Sequence, residues 1–249
     1  MENLKKWIRE AENGNVDAMI QVANTILWED ETSPVEPDRY EMAVSYLKKA
    51  IEAGNTEAMI SYGAVFYNGR GVPQDFRQAV HWYQQAADRG NQWAICYMGY
   101  MYYYGRGDLD VDMEMAYRYY SKAAMLGVPN AYYKCGDMFL LGQYVTRDVS
   151  TAFELYWKCY SMVRASQPMD CYPDVCRRLG TCFHKGLGTE KDLVQAEHLL
   201  FEARRLFQKR LNEGDRFTGE VLRQATQEWE EVMREMGEDP AEDREKTGP

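Results

Sequence analysis

Apolar and polar residues alternate along this chain with helical spacing, and the alternation itself repeats. A small residue marks the middle of a first helix at Ala23, Gly63, Gly99, Gly136 and Gly180. Five residues earlier stand Ala18, Ala58, Ala94, Ala131 and Val175, and three residues later Ile26, Phe66, Tyr102, Phe139 and Phe183. Paired glycines follow at Gly69/Gly71, Gly105/Gly107 and Gly186/Gly188; the fourth copy has Gly142 and Tyr144, and the first has neither glycine. A second helix is predicted to start at Asp75, Asp112, Asp148 and Asp192, each four residues before Ala79, Ala116, Ala152 or Ala196. Aspartate suits that place, because its carboxylate accepts the free amide hydrogens of a first helical turn. The second helix closes at Gly14, Gly54, Gly90 and Gly127, and Asn15, Asn55 and Asn91 then cap the next first helix.

A self-similar unit of about 36 to 40 residues is the mark of stacked helix pairs. The units run approximately 15–54, 55–90, 91–127, 128–169 and 170–214. Residues 1–14 read as a capping half-repeat, with Leu4, Trp7, Ile8 and Ala11 facing inward. Residues 215–236 read as a capping helix, with Phe217, Val221, Ala225, Val232 and Met236 at helical spacing. The acidic tail 237–249 holds almost no apolar residue and is expected to be disordered. Insertions at Asp30–Pro37 and at Arg164–Tyr172, with Pro168, fall in loops.

Composition narrows the function. Of 249 residues, 45% are apolar and 27% charged, as in an ordinary globular protein. A net charge of −10 argues against nucleic acid and anionic lipid, which both need clustered Lys and Arg. The first ten residues, Met1 to Glu10, lack the unbroken apolar core of a signal peptide, and no run approaches membrane-span length. A cytoplasmic protein with its six cysteines as free thiols is the expectation.

The pattern resembles the Sel1-like repeat family, a tetratricopeptide-related group. Tyr62-Gly63, Phe66, Gly69, Gly71-Val72, Asp75, Ala79, Trp82-Tyr83 and Ala86-Ala87 carry the resemblance in unit two. Met98-Gly99, Tyr102, Gly105, Gly107, Asp112, Ala116, Tyr119-Tyr120 and Ala123-Ala124 carry it in unit three. Units one, four and five are degenerate but keep the spacing. The resemblance implies an all-α, right-handed superhelical solenoid of about five antiparallel helix pairs with terminal caps. It implies a role in protein–protein interaction, with the first helix of each pair on the concave side, and no catalytic residues. The abundance of such proteins in bacteria makes a bacterial source the natural expectation.

One row of positions departs from its own repeat. Counted from the central small residue, −6, −2, +1 and +5 share a helical face. That face holds Asp17, Gln21, Asn24 and Trp28 in unit one and Glu57, Ser61, Ala64 and Asn68 in unit two. It holds Asn130, Lys134, Asp137 and Leu141 in unit four and Asp174, Arg178, Thr181 and Lys185 in unit five. In unit three it holds Trp93, Tyr97, Tyr100 and Tyr104. Exposed Tyr and Trp favour recognition, since they offer large contact area at low entropic cost. The predicted partner site is therefore Trp93, Tyr97, Tyr100 and Tyr104, bordered by Lys134, Asp137, Arg178 and Lys185. An acidic or C-terminal carboxylate peptide suits that mix. The competing account is that unit three has a larger core and the aromatics only pack.

Other constellations are ordinary. Cys171, Cys176, Cys182 and His184 match no common zinc spacing and stand mostly where sister units are apolar. His81 and His198 share an outward position on the second helix. The Gly-x-Gly pairs lie at helix C-termini, where the dipole repels phosphate. Secreted cysteine-rich members of the resembled family bridge the positions of Cys159 and Cys176, which makes that pair a disulfide candidate by resemblance. The reading is a monomeric, non-catalytic adaptor without cofactor or metal, binding a peptide or protein segment. A small-molecule or enzymatic pocket in the same groove is the alternative, and a module acting through its convex side or acidic tail is a third.

Overall fold

A computed structural model describes residues 2–28, 35–165, 171–215 and 218–240. Parts of both predicted insertions, Phe217 and most of the acidic tail lie outside these residues. Among the described residues the secondary structure is helical. The helices are α1 (Glu2–Glu12), α2 (Val16–Trp28), α3 (Pro37–Glu52), α4 (Thr56–Asn68), α5 (Phe76–Asp88) and α6 (Gln92–Tyr104). They continue as α7 (Met113–Met125), α8 (Pro129–Leu141), α9 (Val149–Ala165), α10 (Tyr172–Lys185), α11 (Leu193–Asn212) and α12 (Thr218–Met236).

Their ends follow from a few residue types. The second helix of each pair, from α5 onward, is capped by the predicted aspartate. Asp75 accepts from the amides of Arg77 and Gln78, Asp148 from those of Ser150 and Thr151, and Asp112 and Asp192 from Met115 and Gln195. The backbone amide of the same aspartate donates back to the preceding helix, Asp75 to the Phe66 carbonyl (2.9 Å) and Asp192 to that of Phe183 (2.9 Å). This bond ties each turn to the +3 position, which is why that position is fixed in register.

The repeated Gly-Asn pair does two jobs. Gly54 lies at φ +85, a conformation only glycine adopts freely. Its amide donates to the Ile51 carbonyl (2.8 Å) and that of Asn55 to Ala50 (3.0 Å), the paired bonds of a Schellman end. The Asn55 side chain then accepts from Glu57 and Ala58 and starts α4. One dipeptide thus ends a helix and begins the next. Asn15 and Asn91 repeat the arrangement.

The central glycines mark where the two helices of a pair meet. A methyl group on Gly63 would lie 2.7 Å from the Tyr83 ring, on Gly99 2.6 Å from Tyr120, and on Gly136 2.5 Å from Tyr156. In unit five Leu200 takes the place of the tyrosine. Tyr67, late in α4, meets Phe76, early in α5, while the earlier Tyr62 meets the later Trp82, so the pair is antiparallel.

The chain forms two compact units, Met1–Val128 and Pro129–Pro249. In the first, a core of Val22, Leu27, Leu47, Ala50, Ala58 and Val65 runs through the first two repeats, and Leu4, Trp7 and Ile8 of α1 pack on its end. Arg70 reaches back to donate to the carbonyl of Leu27, an orphan acceptor at the end of α2. In the second unit, Tyr156, Cys159, Val175, Leu179 and Phe207 build the core. There α12 packs Trp229, Val232 and Met233 against Ala196 and Leu200. Trp229 is fully buried, donates from Nε1 to Glu197 (3.0 Å) and has the Arg204 guanidinium 4.0 Å from its ring. The face assigned to this cap from sequence omitted Trp229, its largest buried side chain.

Candidate functional site

In units one and two the row of positions −6, −2, +1 and +5 is mostly polar and only partly open. Asp17, Gln21, Glu57 and Asn68 are exposed, while Asn24, Ser61 and Ala64 are half-buried.

In α6 the row is aromatic. Trp93, Tyr97 and Tyr100 are half-buried and Tyr104 is 47% exposed. Tyr97 stacks on the buried Tyr83 (5.0 Å between centroids, 26°), and Tyr100 meets the buried Tyr120 edge-on (5.5 Å) while lying parallel to Tyr104 (6.4 Å). Arg106, just beyond the helix, lies over Tyr67 (5.0 Å), Phe76 (4.5 Å) and Tyr104 (5.5 Å). This aromatic set with an embedded guanidinium belongs wholly to the first unit.

Lys134, Asp137, Arg178 and Lys185 belong to the second unit, and two of them are brought together. Arg178 donates from Nε to Asp137 Oδ1 (2.6 Å) and from Nη2 to Oδ2 (2.6 Å). Tyr156 donates its hydroxyl to the same carboxylate (2.8 Å), and a further Arg178 nitrogen donates to the Asp174 carbonyl (3.0 Å). Side-chain exposures of 14% and 17% make this an interior ion pair with bidentate geometry. Burial pushes the Asp137 carboxyl upward, but the charge and hydrogen bonds of Arg178, with Lys134 and Tyr156, outweigh it and hold it below the ordinary range. Lys134 is buried, its ammonium 5.3 Å from the Tyr133 ring, and Lys185 is exposed at the end of α10. Arg178 is thus committed to Asp137 and does not stand as an open base on the groove wall.

Beside this pair lies a cavity of about 240 Å³ lined by Asp137, Leu140 and Leu141 of α8, Tyr156 of α9, Arg177, Arg178, Thr181 and Cys182 of α10, and Leu187. Arg177 donates to Glu228 of α12 (2.9 Å), and the Thr181 hydroxyl to the other oxygen of that carboxylate (2.7 Å). Asp137, Leu141, Arg178 and Thr181 are members of the row read from sequence. Leu140, Leu187 and Glu228 were not singled out there. Tyr156 was legible in principle, since it stands four residues after Ala152 just as Tyr83 follows Ala79.

The six cysteines are buried free thiols. Burial pushes Cys176 and Cys182 up to about 12. Cys159 is hydrogen-bonded to Cys171, which together with burial raises it further. Its hydrogen-bond partner is Cys171, and Cys176, the partner that the resemblance suggested, also acts to raise it. His81 and His198 are exposed.

The Sel1 repeat model matches residues 16–55, 56–91, 94–128, 129–157 and 173–209. The chain belongs to the Sel1 repeat family. Repeats of this family typically serve as protein-interaction scaffolds. Solved structures agree on the fold. A Sel1 repeat protein from Oxalobacter formigenes matches with TM-score 0.62 and 22% identity, over 84% of this chain and 75% of that one. A second, from Klebsiella pneumoniae, matches with TM-score 0.54 and 18% identity over 92% and 98%. An immunity protein from Pseudomonas aeruginosa matches with TM-score 0.54 and 19% identity over 80% and 71%. No curated protein sequence matches significantly. Among the described residues no helix is long and apolar enough to cross a membrane.

Proposed function

We propose that this Sel1 repeat protein is a non-catalytic adaptor that holds a peptide or protein segment on the first helices of its repeats. The observation that carries this reading is the cavity in the second unit: four members of the row, Asp137, Leu141, Arg178 and Thr181, line a preformed recess. The aromatic row of α6 supports it, since the half-buried tyrosines retain contact area of the kind that dominates interface energetics. In this reading Trp93, Tyr97, Tyr100 and Tyr104 supply contact area and Lys185 an exposed positive charge. Asp137 and Arg178 hold the wall in shape, and Lys134 lies beside them. The protein acts as a monomer in a bacterial cytoplasm. A small-molecule or enzymatic role fits less well, because the cavity lies below the roughly 300–1,000 Å³ of drug-sized sites.

The test is capture of partners by wild type, by a variant with Trp93, Tyr97, Tyr100 and Tyr104 all changed to Ser, and by His81→Ala as a surface control. Loss in the quadruple variant alone is expected, and equal capture by all three ends the proposal for α6. A companion measurement separates binding from packing. Tyr97→Ala with Tyr100→Ala is expected to lower the melting temperature only slightly, and a large fall assigns these rings to the core.

A further inference from the structure

We infer that the cavity between α8 and α10 receives one uncharged, apolar side chain of about leucine size from the bound segment. This rests on the groove reading above and adds the chemistry of the anchor. The charges around the cavity are already matched. Arg178 is bound to Asp137 through both carboxylate oxygens, and Arg177 and Thr181 are bound to Glu228. The Tyr156 hydroxyl is spent on Asp137 as well. Nε of Arg177, which has no partner, is itself sealed from solvent. A charged guest would shed its water and meet two pairs whose charges already neutralise each other, a cost that disfavours it.

What remains for contact is apolar: Leu140, Leu141, Cys182 and Leu187. Leu141 is 60% exposed at the +5 position, where units two and five carry Asn68 and Lys185. A large apolar side chain left open at the mouth of a recess is what an anchor residue buries on binding, and such anchors carry most of an interface's energy. The volume suits one side chain and falls below the usual range of small-molecule sites. The fixed pairs keep the recess open without a guest, so little ordering cost falls on binding.

The experiment titrates the methyl-labelled protein with N-acetyl-leucinamide, and separately with the N-acetyl amides of aspartate and lysine, following the methyl resonances of Leu140, Leu141 and Leu187. The expected result is a saturable shift with the leucine probe at millimolar concentration, and affinity about tenfold weaker or worse for both charged probes. Leu141→Asp, at an exposed position, is expected to keep its melting temperature and to weaken the leucine probe about fivefold or more. No saturable shift, equal binding of a charged probe, or undiminished binding by Leu141→Asp overturns the inference. Capture that depends on the α6 aromatics while the leucine probe fails sinks the anchor and leaves the adaptor reading standing. A leucine probe that binds while capture ignores α6 keeps the anchor and removes the α6 aromatics from the adaptor reading.

Discussion

Asp137 stays ionised because its neighbours return more than burial removes. Its pKa is held below the ordinary carboxylate range in the folded protein. A group depressed on folding contributes stability that is complete above its unfolded pKa of about 3.9 and is lost as pH falls through the folded value. Asp137→Asn is therefore expected to cost about 3–5 kcal/mol at pH 7, because it strands Arg178, and to flatten the loss of stability below about pH 4. Urea denaturation of both proteins between pH 2 and 7 checks this, and parallel acid limbs would remove Asp137 from the linkage. Glycines of like conformation give a second contrast. Gly14 (φ +88) has open space around it, while a methyl on Gly107 (φ +68) would lie 2.5 Å from the Phe76 carbonyl oxygen. Gly14→Ala should cost about 1 kcal/mol, from backbone strain alone. Gly107→Ala should cost about 3 kcal/mol or more, with the clash added. Similar midpoints for the two would refute the close approach.

At the scale of helices, caps and the pairing of first with second helices were readable, and side-chain partnerships between successive first helices were not. The aspartates that start the second helices from α5 onward are local signals, since carboxylate and amides lie within three residues. Asp148→Ala, which removes bonds to Ser150, Thr151 and the Thr151 hydroxyl, is expected to destabilise by about 1 kcal/mol in thermal or chemical unfolding. Arg178 and Asp137 were each legible as members of the open row, yet their union was missed because each helix was read alone. The +1 residue of α8, Asp137, meets the −2 residue of α10, Arg178, so charge complementarity between those two positions was the available signal. Trp229 was overlooked although it shares a helical face with Ala225 and Val232; the capping face was drawn from aliphatic spacing. Trp229→Ala should cost about 3–5 kcal/mol and expose α12 to limited proteolysis well before the rest of the second unit. Simultaneous cleavage throughout would show that the cap does not end the fold separately.

Across the whole molecule, the six cysteines stand as free, buried thiols. Titration of unreduced, denatured protein is expected to find six thiols, whereas the native protein reacts slowly because burial keeps reagent from the sulfurs. A count of four would require a bridge. The longest-range consequence comes from the smallest feature, the Gly-Asn joint. Gly54-Asn55 and Gly90-Asn91 are the same dipeptide with the same bonds, so excising residues 55–90 would rejoin Gly54 to Asn91 and recreate the seam it removed. Duplicating that stretch would do likewise. Such a chain can grow or shrink by whole modules without a foreign junction, so its length is open to change by gene rearrangement while every turn keeps its chemistry.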